Sequence, residues 1–498
     1  MTASSPVPVG TWLDASLATR PDATAIEFGQ SRVSYAELSE RADAMAGALW
    51  QRGLRAGDVV ASLSENRPEH VALLFACARS GLVLCPLNWR LATPELAAQV
   101  ALVAPRVLVA SSRWADTARA GLGSLVAWVA GFDELVAGPP ARRWATPGEA
   151  DGLLLIATSG STGAPKGVLL SHANCHWTNE SLASRVPLGP DDRVLQALPQ
   201  FHVGGWNVQP LLAWRSGARV VLEDGFEPER VLQLIDAKRV STMMGVPTIY
   251  LALSQSESFA HSDLSSLREV VVGGAVMPFG LAARWAARGV RVYQGYGLTE
   301  AGPNVCCLRP EEAADHPGSV GRAYPHVEVA LYDVAAGGFI EGEGRGELCV
   351  RGPNVFAGYV ADPAATATAF VHGWLRSGDV AERDAEGYYR IVGRIKEMYV
   401  SGGENVYPGE VERVLGAYPG VLDAAVLARA DERWGEVGEA YLVLEDPTTL
   451  DEASLRGHCR GALAGYKVPV AFHVVHELPR TAVGKLDRVA LARLARGA

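Results

Sequence analysis

No basic segment followed by an apolar core opens this chain, no apolar run approaches the length of a membrane span, and no cysteines are spaced as CxxC. Each absence excludes something. The longest apolar runs, such as residues 71–78, fall far short of the ~20 residues that a spanning helix needs, so no stable membrane insertion is expected. Residues 1–10 carry no secretory pattern. The seven cysteines, single except for the adjacent pair Cys306 and Cys307, suit neither a disulfide framework nor a zinc site. A reducing, cytoplasmic setting is the expectation. Positive charge is also scarce: 45 Lys and Arg against 55 Asp and Glu leave a net charge of -10, which argues against a nucleic-acid partner. No repeat recurs at a fixed period.

What is present is a globular composition, 48% hydrophobic and 20% charged over 498 residues, too long for one core and therefore of two or more domains. Ser34-Tyr35-Ala36-Glu37 reads as a capping box. Leu38, Ala42, Met45 and Leu49 then share one helical face until Gly53. A strand at 59–63, a helix opened by Pro68, a strand at 82–84, a helix from Thr93-Pro94 and a strand at 107–110 follow in alternation, the pattern of a parallel sheet covered by helices. Residues 137–152, rich in Pro and Gly, read as an exposed connection. Further strands are expected at 219–222, 270–272 and 290–293, with a helix at 227–236. From 327 to 391, short β-like runs punctuated by glycine, including Gly337-Gly338, predict an antiparallel or barrel-like part. A compact α+β tail comes last.

The most informative stretch runs from 158 to 168: Thr-Ser-Gly-Ser-Thr-Gly-Ala-Pro-Lys-Gly-Val. Glycines permit close approach, hydroxyls and amides donate, and Lys166 neutralises, which together describe a polyphosphate cradle. A Walker A loop would need glycine directly before the lysine and Ser or Thr directly after it. Here Pro165 and Gly167 flank it, and apolar runs of strand length at 153–156 and 168–170 predict a loop between strands instead.

Downstream, Tyr293-Gln294-Gly295-Tyr296-Gly297-Leu298-Thr299-Glu300 follows a strand. A tyrosine freed by flanking glycines can offer its face to a purine, and an acid beside a phosphate loop can hold Mg²⁺. Gly273-Gly274-Ala275 stand before it, and after it come Asp379 following Gly378, Gly393-Arg394-Ile395-Lys396-Glu397, Ser401-Gly402-Gly403-Glu404, Arg433-Trp434-Gly435, and residues 478–485 ending in Gly484-Lys485.

In this order the segments resemble the AMP-forming acyl-CoA synthetases, adenylate-forming enzymes whose superfamily includes adenylation domains and firefly luciferase. The resemblance covers nearly the whole chain. It implies an α/β fold: a large N-terminal domain, 1–394, of parallel α/β sheets plus a β-barrel-like part, and a small mobile α+β C-terminal domain, 395–498. It implies ATP, Mg²⁺ and coenzyme A as cofactors or co-substrates, in a monomer or homodimer. Thr158, Ser159, Gly160, Ser161, Thr162, Gly163 and Lys166 would hold phosphates. Gly274, Ala275, Gln294, Gly295, Tyr296 and Gly297 would frame adenine, with Tyr296 stacked on it. Thr299 would bond a phosphate oxygen and Glu300 would bind the metal. Asp379 would accept the ribose hydroxyls with Arg394 nearby, Lys396 would be the pivot of domain rotation, and Lys485 the catalytic cation. Gly402 and Gly403 would line a pantetheine tunnel, with Trp434 and Tyr466 beside coenzyme A.

For the acid, residues 198–206 align with the segment bordering the acyl site, with His202 as gate. The candidates Gly204, Trp206, Met243, Met244, Gly274 and Gly297 carry no charge, and no aspartate stands there to hold an α-ammonium. A hydrophobic monocarboxylic acid is expected, either medium-chain fatty or aryl and cinnamate-type. Two rivals stay open: an adenylating enzyme that loads a carrier protein, and a catalytically silent relative.

Overall fold

A computed structural model describes residues 5–139, 147–159, 165–446, 450–481 and 484–497. The helix Tyr35–Gln51 begins with the expected capping box, in which Ser34 accepts from Glu37 N and the Glu37 carboxylate accepts from Ser34 N. Its face of Leu38, Ala42, Met45 and Leu49 has no exposed surface. The alternating stretch gives Val59–Leu63, Pro68–Ser80, Val83–Pro86, Thr93–Val103 and Val107–Ala110. The part of the 137–152 connection at 140–146 lies outside the described residues.

Four sheets organise the described residues. In one, Val129–Gly131, Val107–Ala110, Val59–Leu63, Val83–Pro86 and Gly152–Ser159 run parallel, and Pro165–Ser171 closes it as an antiparallel edge. In the largest, the parallel neighbours Arg193–Gln196, Thr242–Gly245, Glu269–Val272 and Arg291–Tyr296 lie at the centre. Ligands of such sheets bind beyond the carboxyl ends of the strands. Those ends carry Val246, Gly273 and Gly297. Residues 328–394 form an antiparallel sheet in which Trp374–Arg383 pairs with Tyr389–Arg394. The chain after Tyr399 folds around its own core of Tyr399, Val406, Val411, Leu415, Val426 and Leu455. All seven cysteines are buried and unbridged, and no helix among the described residues is long and apolar enough to cross a membrane.

Two buried histidines make this packing sensitive to acid. His70 bonds Ser62 Oγ at 2.8 Å, and His172 Nδ1 accepts the Val9 amide at 3.1 Å, so that nitrogen must be unprotonated. Burial pushes their pKa values down to about 3 and about 4. Unfolded histidine titrates near 6.5, so below that pH the unfolded chain takes up protons that the folded chain refuses. Stability is therefore lost as pH falls from about 6.5 toward about 4, by about 1–2 kcal/mol per histidine at pH 5. The urea midpoint should drop between pH 7 and pH 5, and the drop should shrink in His172→Gln. An identical slope in that variant contradicts the assignment.

Candidate functional site

The phosphate stretch carries an antiparallel strand pair in which Thr158 pairs with Lys166 and Ser159 with Pro165; Gly160, Ser161, Thr162 and Gly163 lie outside the described residues. The outgoing strand continues into a second pairing. Val168 bridges Tyr359, and Val360 N donates to Gly167 O at 2.9 Å. Lys166 Nζ stands 4.6 Å from the centre of the Tyr359 ring.

Across from it, the strand Arg291–Tyr296 delivers Tyr296, Gly297 and the turn Thr299–Ala301. The side chain of Gln294 fixes the neighbouring loop, accepting from Met277 N at 2.8 Å and donating to Ala275 O at 3.0 Å. Gly274 sits there with φ +80°, a conformation that favours glycine. The turn's successive carbonyls are held from three directions. Phe356 N donates to Glu300 O at 2.9 Å, Asn354 Nδ2 to Ala301 O at 2.7 Å, and Asn207 Nδ2 to Gly302 O. The Glu300 carboxylate accepts from the Tyr359 hydroxyl at 2.9 Å.

Asp379 lies buried opposite Arg394 in the ladder, with Oδ1 2.7 Å from Arg394 Nε and Oδ2 accepting from the Tyr296 hydroxyl at 2.5 Å. Burial raises its pKa, while Arg394, Tyr296 and Lys485 pull the other way. A carboxylate has about four acceptor positions. Two protein partners thus leave capacity for a vicinal diol.

Lys485 reaches this group from the C-terminal sheet. Its carbonyl accepts from Thr481 N at 2.7 Å, Arg480 bridges Leu486, and Arg480 pairs with Asp423 behind the turn. The turn abuts the large domain: a Cβ added at Gly484 would meet Val246 Cγ2 at 3.0 Å. The side chain stays accessible within a cleft crowded by protein. That crowding lowers its pKa, as does the cation of Arg394, against Asp379 and Glu300, which favour its charge. The same ammonium helps burial push His202 down to about 4, so His202 is neutral at physiological pH.

Among the described residues no cluster of three or more His, Cys, Asp or Glu could hold a metal. One carboxylate, Glu300, beside a phosphate hairpin is nevertheless a donor set that suits Mg²⁺, which takes one or two carboxylates with substrate phosphates and water.

Some expected residues stand elsewhere. Trp206 has no exposed surface; its indole N–H donates to Gln200 O and its ring meets His70 edge-on at 5.1 Å. Met243 is 1% exposed because strand alternation turns it into the core with Tyr250 and Trp285, while Met244, on the opposite face, is only half-buried. Neither Trp206 nor Met243 offers a surface to an acid here. Gly402 and Gly403 form the turn between Tyr399–Ser401 and Glu404–Val406, with φ +61° and +88°. Gly402 N donates to Trp434 O at 2.8 Å, and a Cβ at Gly403 would meet nothing within 4 Å. This cluster sits at turns of the C-terminal sheet, and the half-buried Tyr466, in the turn Gly465–Lys467, packs against the core beneath it. Lys396 stands in the turn Ile395–Glu397, where Glu397 pairs with Arg488 at 2.9 Å. Sequence reading missed Tyr359, although Gly358 before it repeats the glycine-freed tyrosine seen at Tyr296.

The family model of the AMP-binding enzymes matches residues 13–360, and that of the AMP-binding enzyme C-terminal domain matches 410–485. The chain is similar to a feruloyl-CoA synthase of an Amycolatopsis species, 40% identical over 96% of this chain and 97% of the relative. It is also similar to an indoleacetate–CoA ligase of Aromatoleum aromaticum, 38% identical over 96% of each. Among solved structures it resembles the o-succinylbenzoate CoA synthetase of Bacillus subtilis. With its acyl-adenylate intermediate, that protein gives a TM-score of 0.86 at 32% identity over 98% of both chains. With ATP and magnesium ion it gives 0.85 at 31% identity over 97% of this chain and 99% of that one.

Proposed function

The chain belongs to the AMP-binding enzyme family and is an AMP-forming acyl-CoA synthetase, and from that premise we propose that it activates a hydrophobic monocarboxylic acid of the aryl or cinnamate class. The observation carrying the reading is Lys485, brought from the C-terminal sheet into electrostatic reach of Asp379, Glu300 and the neutral His202. That arrangement suits the adenylation half of the reaction. An acid carboxylate oxygen attacks the α-phosphorus of ATP and pyrophosphate leaves; the coenzyme A thiol, giving up its proton, then attacks the acyl carbonyl and AMP leaves.

The residues divide this work by charge. Asp379 and Arg394 hold the ribose, Tyr296 the adenine, and the hairpin with Lys166 and Thr299 the phosphates. Mg²⁺, held by Glu300, neutralises phosphate charge when bound. Lys485 stabilises charge on the α-phosphate and the acid. Neutral His202 leaves the acid's carboxylate without a competing cation at the gate. The uncharged lining at Gly204, Met244, Gly274 and Gly297 leaves a second carboxylate or an ammonium unpaired, which disfavours dicarboxylic and amino acids. The feruloyl and indoleacetate names of the two sequence relatives favour an aryl acid over a medium-chain fatty acid.

Residues 395–498 would rotate about Lys396 between the two steps, bringing the open turn of Gly402 and Gly403, with Trp434, to the site as the coenzyme A channel. Glycine there keeps the channel wide enough for a thin arm. Pyrophosphate release with ATP, Mg²⁺ and a panel of acids, with and without coenzyme A, tests the proposal. Benzoates or cinnamates should turn over in a thiol-dependent way, about 10²-fold or more ahead of dicarboxylic and amino acids. Acid-dependent release indifferent to coenzyme A but stimulated by a phosphopantetheinyl carrier would replace the reading with a carrier-loading one.

A further inference from the structure

We infer that Tyr359 is a positioning residue for adenylation, joining the cation of the phosphate hairpin to the carboxylate assigned to the metal; this rests on the functional reading above. Tyr359 sits where three segments meet. Its backbone bridges Val168 on the outgoing hairpin strand, and its N–H donates to Thr366 Oγ1 at 2.9 Å on the helix Pro363–Ala369. Its neighbour Phe356, 5.0 Å away ring to ring, donates its N–H to Glu300 O at 2.9 Å. The backbone around Tyr359 is thus fixed on both sides of the site.

The side chain then does two things at once. Its hydroxyl donates to Glu300 Oε1 at 2.9 Å, and its ring lies 4.6 Å beneath Lys166 Nζ. A phenol keeps its proton at neutral pH, so the hydroxyl is the donor in this bond. One donor on one oxygen orients a carboxylate while leaving the other oxygen for a cation. A ring beneath an ammonium restrains a lysine whose side chain otherwise carries about 2 kcal/mol of rotamer entropy. Glu300, in the turn Thr299–Ala301, and Lys166, on the strand Pro165–Ser171, lie far apart in sequence, and both engage this one side chain. Their spacing across the phosphate site is therefore set by Tyr359.

Tyr359→Phe keeps the ring and removes the donor, whereas Tyr359→Leu removes both. The first readout is Mn²⁺ affinity, measured by electron paramagnetic resonance on protein saturated with α,β-methylene-ATP. Affinity should fall about tenfold in the Phe variant, the size of one hydrogen bond to a charged group. The Mg²⁺ midpoint for pyrophosphate release should rise by a similar factor. Melting temperature and thioester formation from supplied acyl adenylate should hold. The Leu variant should add a rise in KM for ATP through the freed Lys166. Unchanged Mn²⁺ affinity in Tyr359→Phe, or equal loss in both half-reactions with a fall in melting temperature, overturns the role. Should the unsubstituted enzyme release no pyrophosphate from any acid, the functional reading fails, and the manganese titration still decides the role of Tyr359.

Discussion

Lys485→Ala should lower acid-dependent pyrophosphate release by about 10² to 10³ while thioester formation from supplied acyl adenylate survives. The split follows from where the side chain stands. Its ammonium is coupled to Asp379 and Glu300, the groups proposed to meet the nucleotide, and it is carried by a turn anchored through Arg480 and Asp423 to the C-terminal sheet. A preorganised cation aimed at developing phosphate charge contributes only while that charge forms. The thioester step also develops charge on the departing AMP phosphate, but domain rotation would by then have carried the lysine away. Its pKa lies below the usual lysine value. Adenylation should therefore fail on the alkaline side earlier than an ordinary lysine would dictate, because the free amine is what forms as pH rises. Lys485→Arg, which stays charged, should move that alkaline limb upward even where its fork geometry lowers the maximum rate. Separate pH profiles for the two half-reactions measure this. Equal losses in both halves for Lys485→Ala would remove the lysine from its assigned step.

The local half of this structure was legible because local rules wrote it. Ser34 and Glu37 are three residues apart and form the capping box that such spacing announces. The phosphate stretch lacked the Walker A spacing and lay between two runs of strand length, and it became a hairpin. Asp379 and Arg394 were both singled out for the nucleotide, yet nothing in the sequence said that ladder pairing would set one opposite the other. Tyr359 went unread for a related reason: its partners Lys166 and Glu300 come from distant segments that only sheet pairing brings together. Met243 and Met244 show a finer limit. Both are apolar and adjacent, so composition treats them alike, but the pleat sends one into the core and leaves the other partly exposed. Trp206 was placed by a segment alignment that cannot distinguish a pocket wall from the packing behind it.

Gly297→Ala should cost adenylation at least about 10²-fold, the scale on which a 1 Å misplacement of reacting groups acts. A Cβ at this position would lie 1.4 Å from Pro303 O and 2.4 Å from its carbonyl carbon. Backbone, not a flexible side chain, stands in the way, so something structural must shift. The Pro303 side is poorly able to yield: the carbonyls of Glu300, Ala301 and Gly302 just before it are held by Phe356, Asn354 and Asn207, and Val305 N donates to Tyr296 O at 3.0 Å just after it. The displacement must then fall on Tyr296, which is tied to Asp379, or on Thr299 and Glu300, which are proposed to meet the phosphates and the metal. Overpacking of this kind costs typically about 1–3 kcal/mol of stability, so the urea midpoint should fall together with the rate. Gly280→Ala, on the helix Phe279–Ala286, is the control, because its Cβ would meet nothing within 4 Å. Pyrophosphate release and urea midpoints for both variants decide the matter. A Gly297→Ala enzyme with unchanged rate and midpoint would mean that the turn carrying Thr299 and Glu300 has slack, and that its three carbonyl anchors do not fix the catalytic geometry.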